Sequence, residues 1–322
     1  MQMRTIQSLP RPVSALCLGT ALFGSNVSRD DAFRLMDRFA EAGGNLFDTA
    51  RLYGGFGQPG GRNGLSEETL AAWIRSRGME KTAVVVTKGA HPPMENLHGS
   101  RVNEACLRAD IRESTEVLGP VAGWLLHRDD PRTPVAEIME TLNEYVRSGL
   151  IGAVGVSNWT PERIREANGY AAAHGLTGFT VDEPQFSLAR VRAFRDDTLV
   201  TMGPGLYTLH RETGMLCLPF TSQALGFFPK LLNGGVEAVR DSEYFCPENL
   251  AVAERMRVLS KRTGLSPNAI GLCYLMGQPF PVIPIVGPNR METLEAALDA
   301  ADASLTPEEI EGLCPSSRFE EV

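Results

Sequence analysis

The chain has 322 residues, 43% of them hydrophobic and 22% charged, which is enough apolar material for a sizeable core and excludes a disordered chain. Its 31 basic against 39 acidic side chains give a net charge of -8, which argues against nucleic acid or an anionic membrane as a partner, because both recruit a basic surface. No run of about 18 apolar residues occurs, so no transmembrane helix is expected.

From the N-terminus, the first apolar stretch is Val13–Phe23, behind Arg4 and Arg11. Gly19-Thr20 interrupts it and no small-residue cleavage pattern follows, so it reads as a strand and not as a leader. Seven more short apolar runs follow it. The eight strand candidates are Ala15–Leu18, Asn45–Phe47, Ala83–Thr87, Gly123–Leu126, Ala153–Val156, Phe179–Val181, Leu216–Pro219 and Val282–Val286. Continuous apolar character suits strands buried on both faces, as in a parallel sheet.

The stretches between them read as helices. In Pro134–Ser148 the apolar residues Val135, Ile138, Met139, Leu142, Tyr145 and Val146 step by three and four and form one stripe, which Gly149 ends. Thr133-Pro134, Thr160-Pro161, Ser266-Pro267 and Thr306-Pro307 each place a hydroxyl cap before a proline at the first helical position. Thr306 with Glu309, and Asn289 with Glu292, fit capping boxes. Gly54–Gly64 and Arg190–Gly214 read as long loops. Strands alternating with helices over this length predict an α/β fold, a (β/α)8 TIM barrel spanning residues 1–322 as a single domain. No G-x-G-x-x-G follows the first strand, which disfavours a doubly wound sheet. The cysteines Cys17, Cys106, Cys217, Cys246, Cys273 and Cys314 form no C-x-x-C pair and read as reduced thiols, so the expected location is cytoplasmic. His91 and His98 with Glu95 between them lack metal-ligand spacing, and no metal is expected; His174 and His210 read as surface residues.

In a barrel, chemistry collects at the C-terminal ends of the strands. The second run ends in Asp48, the third in Lys88 and the fourth in His127, and Tyr53 lies five residues past the aspartate. A barrel brings all four to one mouth. Tyrosine is a poor acid at neutral pH, with a reference pKa of about 10; a neighbouring ammonium lowers it, an aspartate holds that ammonium, and a histidine donates to a substrate oxygen. Such a set suits protonation of a carbonyl oxygen that becomes an alkoxide. The carbon must then gain a hydride, which no side chain supplies, so a nicotinamide cofactor is implied.

These residues resemble the aldo-keto reductase family, in a bacterial-type branch. The blocks that carry the resemblance are Leu18–Gly24, Gly43–Gly54, Leu126–Pro131 and Gly152–Trp159, in the family's order. The resemblance implies a carbonyl reductase using NADP(H), with NAD(H) as the alternative, acting on an aldehyde, ketone or sugar carbonyl. Tyr53 would be the acid, Asp48 and Lys88 would tune it, and His127 would orient the carbonyl. Ser157, Asn158 and Gln185 would hold the carboxamide and Phe220 would stack on the nicotinamide. Thr221, Ser222, Gln223 and Leu225 would follow the pyrophosphate, Gly19, Thr20 and Asp48 the near side of the cofactor, and Gly287, Asn289 and Arg290 the adenosine phosphate. Ala296-Ala297 stands where the family often has Glu-Asn against the adenine. Phe23, Arg51 and Trp159 are the candidate substrate walls. A small-molecule carbonyl is then the only partner implied, and the oligomeric state is open. The competing reading keeps barrel and nucleotide but makes the protein a weakly catalytic sensor or subunit.

Overall fold

The computed structural model describes residues 1–55, 61–192 and 196–319. Two short strands, β1 (Met3–Arg4) and β2 (Val13–Ser14), pair antiparallel. Eight more form one parallel sheet: β3 (Cys17–Gly19), β4 (Leu46–Asp48), β5 (Val84–Gly89), β6 (Val121–Leu126), β7 (Ile151–Ser157), β8 (Phe179–Glu183), β9 (Leu216–Cys217) and β10 (Ile285–Val286). Their order runs β10-β3-β4-β5-β6-β7-β8-β9. Parallel pairing of Cys217 with Val282, and the bond from the Ile285 N–H to the Pro219 carbonyl at 3.1 Å, join the two ends into a closed barrel. The helices are α1 (Arg29–Glu41), α2 (Leu65–Arg77), α3 (Glu104–Leu118), α4 (Val135–Arg147), α5 (Pro161–Ala173), α6 (Pro204–Thr213), α7 (Phe227–Gly234), α8 (Pro247–Thr263), α9 (Pro267–Met276), α10 (Met291–Leu298) and α11 (Pro307–Leu313). No described helix is long and apolar enough to cross a membrane.

The architecture is the expected (β/α)8 barrel, and its two-residue side-chain period organises everything at its mouth. Cys17, Leu46, Val86, Leu125, Val181 and Ile285 fill the interior. Their alternates Leu18, Phe47, Val85, Trp124 and Val156 pack outward in the larger cluster formed with the helices. Leu9 and Val13, from the β1–β2 hairpin, join the interior cluster and close the N-terminal end. At the other end the interior positions become polar. One step past Leu46 is Asp48, past Val86 is Lys88, past Leu125 is His127 and past Val181 is Glu183.

Several local expectations change. The segment read as a loop over Arg190–Gly214 contains α6, with Leu206, Tyr207, Leu209 and His210 buried on one face and Gly214 in the left-handed conformation behind it. Parts of that segment and of Gly54–Gly64 lie outside the described residues. Thr133 does not cap α4; its hydroxyl donates to the Val102 carbonyl instead. The cap of α10 is Arg290 with Thr293, not Asn289 with Glu292. Thr306 with Glu309 forms its capping box as expected.

His210 is no surface residue. It is fully buried, with Nε2 3.0 Å from Asp182 Oδ2 and Nδ1 3.0 Å from the Met215 carbonyl. Asp182 therefore faces the helix layer, opposite to its neighbour Glu183, and does not meet Asp48.

Candidate active site

Asp48, Lys88 and Glu183 come from β4, β5 and β8, and all three side chains are buried. The Lys88 ammonium donates to Asp48 and lies 2.9 Å from Glu183 Oε1. Burial alone would lower the Lys88 pKa, but the two carboxylates outweigh it and hold the group well above its ordinary value. Burial pushes the Asp48 carboxyl up against the pull of Lys88. Glu183 is pushed well up, first by burial and then by the charge of Asp48. Glu183 was absent from the sequence-derived site. The signal was its parity with Val181, which puts it inside the barrel.

Tyr53 sits in the turn after β4, where its N–H donates to the Ala50 carbonyl at 3.0 Å. Its ring centroid is 5.1 Å from the Lys88 ammonium and 5.6 Å from the His127 ring. From the sequence, Lys88 is expected to lower the tyrosine pKa. The net direction is upward: burial comes first, and the Asp48 and Glu183 charges add to it against Lys88. Tyr53 is thus a neutral phenol, the form that donates a proton.

His127 continues β6, anchored by its N–H on the Gly89 carbonyl at 2.8 Å. Burial, followed by His91, Lys88 and Arg128, keeps its pKa well below the ordinary value. A neutral imidazole carries one N–H. Its Nδ1 is buried without a partner among the described residues. His91 stands edge-on to it, with centroids 4.7 Å apart. His91 Nδ1 is 2.6 Å from the Pro92 carbonyl, and burial and Arg128 push this imidazole down to about 4.

The residues expected to meet a nucleotide ring the mouth with unequal freedom. Ser157 Oγ donates to the Glu183 carbonyl and accepts from Asn158 Nδ2 at 2.9 Å; Asn158 Oδ1 accepts from the Val200 N–H at 3.1 Å. Thr20 Oγ1 is held by the Asp48 carbonyl and Ser66 Oγ. A Cβ on Gly19 would stand 2.7 Å from Ile285, so glycine lets β3 and β10 approach. Gln185 keeps Oε1 buried and unpartnered, while its Nε2 donates to the Tyr244 hydroxyl. Phe220 is half-buried. Asn158, Thr221, Ala224 and Leu225 have positive φ just past β7 and β9. Such strain costs of order 1–3 kcal/mol per residue and gathers at functional sites. Ser222 Oγ donates to the Ile285 carbonyl, and Gln223 is half-buried. Gly287, Asn289 and Arg290 are exposed ahead of α10. The free acceptor of Gln185, the open ring of Phe220 and the guanidinium of Arg290 at a helix N-terminus fit a planar carboxamide ring at one end and a phosphate at the other.

The three candidate substrate walls are not brought to the mouth. Phe23 and Trp159 are fully buried, and Trp159 packs edge-on to Phe179 with the Arg163 guanidinium over it. Arg51 is tied to Glu67 at 2.6 Å and Glu113 at 2.8 Å, between α2 and α3.

Residues 15–314 match the model of the aldo/keto reductase family. The norsolorinic acid reductase stcV of Emericella nidulans is 30% identical over 92% of this chain and 76% of its own length. The probable aryl-alcohol dehydrogenase AAD4 of Saccharomyces cerevisiae is 27% identical, over 89% of this chain and 88% of its own. The uncharacterized oxidoreductase YrpG of Bacillus subtilis is 26% identical, over 92% and 90%. The chain belongs to the aldo/keto reductase family.

Proposed function

We propose that this aldo/keto reductase family member, as one catalytic domain, reduces a carbonyl to an alcohol with NADP(H), Tyr53 giving the proton. The observation that carries this is the meeting of Asp48, Tyr53, Lys88 and His127 at one largely buried mouth. Substrate oxygen is received between Tyr53 and the neutral imidazole of His127, both of which donate to it as it becomes an alkoxide. Lys88 stands beside the phenolate that remains, and Asp48 holds Lys88 charged. The bound nucleotide supplies the hydride; Phe220 and Gln185 would hold its nicotinamide and Arg290 its 2′-phosphate. The relatives are named for norsolorinic acid and aryl alcohols. Those names and the ring wall of Tyr53, His127 and His91 favour an aryl carbonyl over a sugar.

A catalytically weak nucleotide-binding protein is the second reading, favoured by the protein partners that already occupy Ser157 and Asn158. Titrating the protein with NADPH and NADH by nucleotide fluorescence, then supplying an aromatic aldehyde, separates the two. Tight NADPH binding with turnover supports the reductase. Binding without turnover across aryl, alkyl and sugar carbonyls supports the second reading, and no binding defeats both.

A further inference from the structure

One ammonium cannot neutralise two carboxylates. Lys88 Nζ donates to Asp48 and to Glu183 Oε2 at 3.1 Å and lies 2.9 Å from Glu183 Oε1, with every one of these side chains shut away from solvent. Asp48 and Glu183 are therefore held on one ammonium, and the charge of Asp48 bears on Glu183. Two carboxyl groups that close share a proton, because the doubly ionised state in a buried site is costly. The Tyr53 hydroxyl, Arg128 and the Cys17 and Cys217 thiols also feel the charge of Glu183. Of these only Arg128 is a cation, and its guanidinium is taken by Asp196, Thr198 and the His127 carbonyl.

We propose that Glu183 holds the extra proton and is the reserve from which Tyr53 is reprotonated inside the closed site. This rests on the reductase reading above. Reduction consumes one proton from the protein and one hydride from a dihydronicotinamide nucleotide. When Tyr53 gives its phenolic proton to the substrate oxygen, a Lys88 N–H proton passes to the phenolate. The Glu183 O–H bond then breaks and its proton restores the Lys88 ammonium. The sum is a new alcohol O–H and an ionised Glu183, with Tyr53 and Lys88 unchanged. The carboxylate appears as the nicotinamide ring becomes cationic, so the buried mouth gains no net charge. Glu183 acts only through Lys88 and Tyr53, and so is a positioning residue for the proton.

The same charge balance operates without turnover. Binding of the oxidised nucleotide, with its cationic nicotinamide ring, to the resting protein should expel the Glu183 proton, and binding of the reduced nucleotide should not. Calorimetric titration of the full chain with NADP+ and with NADPH, at neutral pH in buffers of different ionisation enthalpy, counts the protons. The expected result is release of about one proton with NADP+ in excess of NADPH, falling to about none in Glu183→Gln. Equal proton counts for the two nucleotides, or a difference that survives in Glu183→Gln, overturns the proposal while leaving the reductase reading intact. Binding of neither nucleotide overturns both. Should Glu183→Gln not fold, infrared difference spectra of the unaltered protein give the second readout. Loss of a protonated-carboxyl stretch on adding NADP+ is expected, and its absence contradicts the proposal.

Discussion

Arg51 reaches from the turn after β4 to Glu67 on α2, at 2.6 Å, and the Glu67 side chain is fully buried. The other Glu67 oxygen accepts from the Thr87 and Ser114 hydroxyls, each at 2.7 Å. This carboxylate ties β5, α2 and α3 together behind the turn that carries Tyr53, and Arg51 neutralises it.

Replacing Arg51 with Met would leave that carboxylate buried without its cation. The expected cost is about 3 kcal/mol of stability, the lower end of what breaking a buried pair costs, because Arg51 is partly exposed. The KM for a carbonyl should stay within about two-fold. Urea unfolding and steady-state kinetics on the same preparation check this. A large rise in KM without loss of stability would restore Arg51 to the substrate site.

His91 gives the protein a pH dependence. Its pKa in the folded chain is about 4 against an ordinary 6.5, so the unfolded chain binds a proton that the native one refuses. Its contribution is complete above pH 6.5 and is lost as pH falls from there towards 4, to a total of about 3 kcal/mol. Asp129 is pushed up to about 6, mainly by burial, and slopes the other way over part of that window. The comparison is therefore with His91→Gln. Urea midpoints at pH 7.5 and pH 5 should differ more in the wild type than in the variant. Equal differences would remove His91 as the source.

The Arg290 side chain is 65% exposed, with Nε 3.6 Å from Glu292. If it meets the 2′-phosphate, Arg290→Ala should weaken NADPH binding about ten-fold and NADH binding much less, since only the first carries that group. Parallel fluorescence titrations read the ratio. An equal loss for both nucleotides would place the phosphate elsewhere.

Much of this was legible in the sequence because the barrel repeats one rule. A strand with interior residues at alternate positions delivers the next alternate to the mouth, and Asp48, Lys88 and His127 each obey it. Glu183 obeys it too, yet Gln185 drew attention in its place because the resemblance called for an amide. The rule stops where the backbone leaves the strand. Asn158 has a φ of 61°, so the direction of Trp159 no longer follows from counting, and the ring turns into the helix layer. His210 was misread because its partner Asp182 is 28 residues away and only the fold unites them. The β1–β2 hairpin, with two residues in each strand, is too short to carry a periodicity.

The Tyr53 hydroxyl is the proposed source of the proton in a nucleotide-dependent carbonyl reduction. The direct measurement is kcat/KM for an aromatic aldehyde with Tyr53→Phe beside the wild type, with nucleotide affinity measured on both. The expected result is a loss of about 10²- to 10⁴-fold, the usual worth of a general acid, with the nucleotide still bound. Turnover undiminished in Tyr53→Phe would contradict it.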